Sequence, residues 1–149
     1  MNILVTYASM TGTAEFVAEE IHGQLERMGF CPTLVDMDDL SLEQCQNAQK
    51  LILCSSSYGA GDVPSNGHQF YQLLKTEPDL SALEFAIFGL GDGSYVHSFC
   101  GAAQKFQAAL LASQAREYAP AVFHDCRKDD EPEQRAIEWI KDLFEHIPS

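Results

Sequence analysis

Ser9-Met10-Thr11-Gly12-Thr13-Ala14-Glu15 follows directly on the apolar run Ile3-Leu4-Val5-Thr6-Tyr7 and opens a helical pattern. A buried strand that breaks into small and hydroxylated residues, then enters a helix, leaves backbone N–H groups pointing out of the turn. Those donors, the helix dipole and the hydroxyls of Ser9, Thr11 and Thr13 suit a phosphate. No Lys or Arg lies between residues 1 and 26, so an anion there would be held by hydrogen bonds alone. That favours a small cofactor phosphate over a triphosphate with its metal. Ordinary capping by Ser9 or Thr11, with Glu15 favourable to the dipole in the first turn, accounts for the same residues. Both readings stay open on this stretch alone.

Working outward, Phe16, Val17, Ile21, Leu25 and Met28 recur at helical spacing, and Gly29 ends that helix. Buried strands are expected over residues 2–7, 32–36, 51–54, 85–88 and 117–123. Helices are expected over 41–47, from Ser65 or Asn66 through Leu74, over 99–113, and from Pro132 to His146. Strands alternating with helices predict one α/β domain over residues 1–149, a doubly wound five-stranded parallel sheet.

The apolar share of 46% and charged share of 21% are those of a soluble globular protein. No apolar run reaches the length of a membrane span. Met1-Asn2 and the strand after it lack the basic start and cleavage site of a signal peptide, so a cytoplasmic location is expected. With 9 basic against 22 acidic residues the net charge is −13, which excludes a phosphate backbone as partner. Cysteines 31, 45, 54, 100 and 126 include no C-x-x-C pair and no metal-ligand spacing, so reduced structural thiols are expected.

In an open parallel sheet a ligand lies beyond the carboxyl ends of the strands. The segments after strands one, three and four all reach that edge. Ser55-Ser56-Ser57-Tyr58-Gly59-Ala60-Gly61-Asp62 and Gly89-Leu90-Gly91-Asp92-Gly93-Ser94-Tyr95 are too rich in glycine and serine to continue strands. Tyr58 and Tyr95 would face each other across a slot for a flat ring. The glycines would let backbone approach that ring.

The turn 9–15, Ser57-Tyr58-Gly59-Ala60-Gly61-Asp62 and Phe88-Gly89-Leu90-Gly91-Asp92-Gly93-Ser94-Tyr95 together resemble the three FMN loops of the flavodoxin family. They are most similar to the FMN domains of diflavin reductases, such as the sulfite reductase flavoprotein, and to small free-standing flavodoxins. The resemblance spans nearly the whole chain in one order and implies a flavodoxin-like fold, for which this family is itself a standard example. It implies that Ser9, Met10, Thr11, Gly12, Thr13 and Ala14 hold the FMN phosphate. Tyr95 and Tyr58 would stack on opposite faces of the isoalloxazine, with Ser56, Ser57 and Gly61 around the second loop. The Gly59-Ala60 peptide would lie near flavin N5. Leu90, Gly91, Asp92, Gly93 and Ser94 would lie near the pyrimidine edge and ribityl chain, with Phe99 and Cys100 bordering the site.

The function so implied is a monomeric one-electron carrier that is not itself an enzyme. Its acidic rim would dock basic-surfaced redox proteins: a flavodoxin or ferredoxin reductase as donor, an iron–sulfur or haem enzyme as acceptor. The rival of the same fold is an FMN-dependent NAD(P)H:quinone reductase, which needs an open pocket over the flavin. A phosphoacceptor domain is excluded, because Thr6-Tyr7-Ala8 and Ser55-Ser56 stand where it needs carboxylates. The absence of G-K-[ST] excludes a nucleotide P-loop. His22, His68, His124 and His146 read as surface or helix residues, and no serine has His and Asp partners at a recognisable spacing.

Overall fold

Alternate side chains of the central strands enter two separate cores. In β3 (Lys50–Ser56) Leu51 and Leu53 join one and Ile52 and Cys54 the other; in β4 (Glu84–Gly91) Phe85 and Ile87 oppose Ala86 and Phe88. A strand covered on both faces reads as a continuous apolar run, which is how these were found. The computed structural model describes residues 1–9, 11–57, 61–93, 99–127 and 131–148.

Around β3 and β4 the sheet order is β2-β1-β3-β4-β5, with β1 (Ile3–Ala8) and β2 (Thr33–Asp36) on one side. The paired strands are all parallel. Helices α1 (Thr13–Arg27) and α5 (Pro132–Phe144) cover one face through Val17, Ile21, Leu25, Ala136 and Ile140. Helices α2 (Leu42–Asn47), α3 (His68–Leu74) and α4 (Gly101–Ala112) cover the other through Cys45, Phe70, Leu74, Ala103 and Phe106. Ser41 caps α2 with a reciprocal capping box to Gln44. This is the doubly wound five-position sheet expected.

The fifth strand differs from the expectation, being split into β5 (Arg116–Glu117) and β6 (Val122–Asp125), both on β4. Four residues, 118–121, stand opposite the two β4 residues 86–87. Pro120 has no N–H to give the ladder, and the Tyr118 hydroxyl donates to the Leu143 carbonyl at 2.6 Å. Lys50 lies over the Tyr118 ring at 3.7 Å and pairs with Glu84 at 2.8 Å, fixing the break to the far end of the sheet.

The serines and glycines expected to leave the sheet also stay in it longer. β3 continues through Ser56 and β4 through Gly91, with Ser55 opposite Gly89 and Ser56 opposite Leu90. Glycine is kept inside β4 because α4 lies so close. A Cβ on Gly89 would stand 2.6 Å from the Ala103 Cβ and 3.2 Å from the Phe123 ring, and one on Gly91 would stand 2.8 Å from the Cys100 nitrogen. Gly89→Ala is therefore expected to lower stability by about 1–3 kcal/mol by overpacking. Part of that loss should return in Gly89→Ala/Ala103→Gly. Urea unfolding of wild type, Gly89→Ala, Ala103→Gly and the double variant checks this, and additive effects would show that the two sites do not touch.

Candidate functional site

At the end of β1 the chain turns sharply. Gly12 has φ +92°, and no Cβ penalty attaches to that left-handed backbone in glycine. Gly12 is also the residue that caps α1, so among the described residues no side chain caps this helix. Of the two readings open for this stretch, capping of α1 by Ser9 or Thr11 is absent among the described residues: the Ser9 hydroxyl accepts from the Gly12 N–H at 2.9 Å, one residue before the helix. The Gly12 carbonyl accepts from Phe16 N–H at 2.9 Å, and the amides of the first turn have no earlier carbonyl to reach. Glu15 sits in that first turn as expected.

A cavity of about 210 Å³ brings the three segments together. Thr11 and Thr13 come from the turn after β1, Ser56 and Ser57 from the end of β3, and Leu90, Gly91 and Asp92 from the end of β4. Cys126, just after β6, completes its lining. Four hydroxyls and the start of α1 stand at one part of this surface, where an oxyanion would find donors, while Leu90, Gly91 and the Asp92 carboxylate form the rest. A larger cleft of about 720 Å³ lies between α3, α4 and the segment before them, lined by Asp62, His68, Tyr71 and Lys105 among others. Its lining includes no residue of the turn after β1 or of the ends of β3 and β4, so the smaller cavity is the candidate site.

Ala14, Gly61, Phe99 and Cys100, expected in or around the site, are not among the residues lining this cavity. Ala14 is fully buried and its methyl packs with Val17, Ala18 and Ile21. Gly61 (φ +87°) is buried against α4, and a Cβ on Gly101 would stand 2.8 Å from its Cα. Cys100 has no exposed surface; it sits behind Gly91 at φ +53° with its thiol 4.0 Å from the His124 carbonyl, and burial pushes that thiol up to about 12. It backs the cavity wall and does not face the cavity. Phe99 packs on the same core. The Ser57 hydroxyl accepts from Ala102 N–H at 3.0 Å and so caps α4. Met10, Tyr58, Gly59, Ala60, Ser94 and Tyr95 lie outside the described residues.

His124 is a further correction. It lies in β6, fully buried, its ring stacked on Phe88 at 6.2 Å with Nδ1 3.3 Å from Arg135. His22, His68 and His146 do sit in or beside helices, away from the core.

Residues after β6 were missed. Asp125 accepts from Gly93 N–H at 3.1 Å and from Arg127 N–H at 3.0 Å, and it pairs with the Arg127 guanidinium at 2.8 Å. Hydrogen bonds from Arg127, then from the Gly93 amide, hold the Asp125 carboxyl well below the usual carboxylate range. Arg127 also lies 3.5 Å from Asp92. The signal was available, since the end of the fifth strand reaches the same edge as the other three. Tyr7, at the end of β1, has its phenol pushed up to about 12 by burial and then by the Asp36, Glu15 and Glu19 carboxylates.

Residues 5–139 match the family model described as flavodoxin. Protein MioC of Escherichia coli (strain K12) is 36% identical over 140 residues, 93% of either chain. The sulfite reductase [NADPH] flavoprotein alpha-component of Bacillus subtilis (strain 168) is 34% identical over 148 residues, 97% of this chain and 24% of that protein. Among solved structures, oxidised Flavodoxin 2 from Bacillus cereus superposes with a TM-score of 0.84 at 27% identity, covering 97% of this chain and 99% of that one.

Of the five thiols, only Cys31 and Cys126 are exposed. A thiol-reactive dye is expected to label two cysteines in the native protein and five in guanidinium. Native labelling of Cys100 would contradict its place behind the cavity wall.

Proposed function

Because the chain belongs to the flavodoxin family, we propose that it binds FMN at the cavity joining Thr11, Ser56 and Gly91 and works as an electron carrier. The observation that carries this reading is the convergence of three segments on one hydroxyl-lined cavity beside an uncapped helix N-terminus. The fit is chemical. A phosphate monoester needs several aimed donors, and the α1 amides with the Thr11 and Thr13 hydroxyls supply them without a cation. When bound, the flavin supplies the one-electron chemistry.

The chain's own residues bind and orient. Ser9, Met10, Thr11, Gly12, Thr13 and Ala14 form the phosphate turn, with Ala14 contributing backbone and core packing. Ser56, Ser57, Leu90, Gly91, Asp92 and Gly93 line the path away from it, and the Asp125–Arg127 pair holds Gly93 in place. Tyr58 and Tyr95 would stack on the ring and the Gly59-Ala60 peptide and Ser94 would meet its edge, as the family resemblance implies, with Gly61, Phe99 and Cys100 supporting the walls.

Exposed Glu15 stands in the first turn of α1, and exposed Asp92 lines the cavity. They support docking of a basic-surfaced reductase as donor and an iron–sulfur or haem enzyme as acceptor, with an encounter rate that falls as salt rises. No helix among the described residues is long and apolar enough to cross a membrane; we place the carrier in the cytoplasm as a monomer.

The test is direct. Purified protein is expected to be yellow or, once stripped, to quench FMN fluorescence at one site. Tyr95→Ala should weaken FMN binding roughly two- to ten-fold or more, the equivalent of about 0.5–1.5 kcal/mol of stacking. A protein that neither carries nor binds FMN overturns the proposal. Turnover of NAD(P)H with a quinone by the protein alone would replace the carrier by the reductase reading.

A further inference from the structure

Asn66 belongs to neither the turn nor the cavity lining, yet its side chain grips the end of β1. Its Oδ1 accepts from Ser9 N–H at 2.9 Å, and its Nδ2 donates to the Tyr7 carbonyl at 3.2 Å and to Asp36 Oδ1 at 3.1 Å. A carbonyl and the N–H two residues later are the two groups that a neighbouring parallel strand would bond. On this side β2 has ended, because Asp36 turns into the 3₁₀ segment Met37–Asp39 and caps it through Asp38 N–H. The pairing of β1 with β2 stops at Tyr7 and Asp36. The Asn66 carboxamide takes the next rung.

The segment carrying Asn66 cannot drift away from this position. Gly67 beside it is buried so closely that a Cβ would stand 3.0 Å from Ala8, 3.1 Å from Val63 and 3.2 Å from the Met37 sulfur. From Ser9 the constraint passes on: the Ser9 hydroxyl takes the Gly12 N–H, and Gly12 in its left-handed conformation aims α1. The direction of the α1 amides thus depends on a side chain from the far end of the segment that follows β3.

We infer that Asn66 is the positioning residue of the phosphate turn, and that through Ser9 it sets the preference for a phosphorylated flavin over the same flavin without its phosphate. This rests on the FMN reading above. Asn66 does not line the cavity. Its loss frees the Ser9 amide and the Tyr7 carbonyl and lets the turn relax, while the segments at Leu90 and Gly91 keep their own supports.

The test compares FMN with riboflavin, which lacks only the phosphate, by fluorescence titration of stripped wild-type and Asn66→Ala protein. The FMN dissociation constant is expected to rise about tenfold, in line with loss of a buried amide's partners. That for riboflavin should stay within about twofold, since the freed groups belong to Tyr7 and Ser9 at the phosphate turn and not to the segments at Ser56 and Leu90. A purely structural role would weaken both flavins equally, and that result, or unchanged FMN affinity, overturns the assignment. If Asn66→Ala does not fold, Asn66→Ser, which keeps a polar side chain too short to reach Ser9, must show the same split, and equal losses there overturn it as well. Wild-type protein that binds neither flavin overturns the FMN reading, and this inference falls with it; wild type that binds FMN while the variant shows no split sinks this inference alone.

Discussion

Everything at the candidate site depends on the way β1 hands over to α1. A helix beginning directly off a buried parallel strand has amides with no carbonyl behind them, and the usual remedy is a side-chain cap. Here the capping position is held by Gly12 at φ +92°, which has no side chain to offer. The hydroxyl that could have served, Ser9, is spent on the Gly12 amide itself. Among the described residues no side chain caps these donors, which leaves them available to a bound anion. In a family of electron carriers that anion is most economically the cofactor's phosphate.

The second constraint is close approach. α4 rests on β4 with glycine at Gly89 and Gly91 and on the preceding segment with Gly101 against Gly61. Each contact leaves too little room for a methyl group. Backbone packed on backbone brings the start of α4 within reach of the Ser57 hydroxyl. It also places Cys100 directly behind Gly91. Glycines that look like turn residues in the sequence are here what lets a helix lie flat on the sheet edge. The cavity wall is firm because its residues have no freedom to retreat.

The fold was legible because its strands are buried on both faces, so runs such as Leu51-Ile52-Leu53-Cys54 carry no polar interruption, and because caps and glycines mark the helix ends. The cavity lining was legible too, because doubly wound topology sends the ends of β1, β3 and β4 to one edge. What sequence could not reveal depends on distance between elements. Gly89 and Gly91 were read as loop because a glycine required by a helix overhead is indistinguishable from one required by a turn. His124 was read as surface because a polar residue in a split strand gives no sign of the Phe88 ring it stacks on. Ser65 or Asn66 marks a helix start in the sequence, the local role such residues commonly take; the partners of Asn66, Tyr7 and Ser9, lie more than fifty residues away in the chain.

Charge closes the argument. A chain of net charge −13 offers an anion a repulsive field, and the turn brings no cation to offset it. Arg127, at the same edge, is held by Asp125 and Asp92 and contributes no excess positive charge. Affinity for a phosphate must then come from donors fixed in advance, since floppy donors would lose to water what they gain from the ligand. This is why the residues that fix the turn, Gly12, Ser9 and Asn66, matter more than any charge at the site. The same field that makes the turn's geometry decisive draws a basic surface to the rim where Glu15 and Asp92 stand exposed. Holding an anion and attracting a cationic partner are opposite electrostatic demands, and the chain meets both by assigning the first to oriented backbone and the second to side chains.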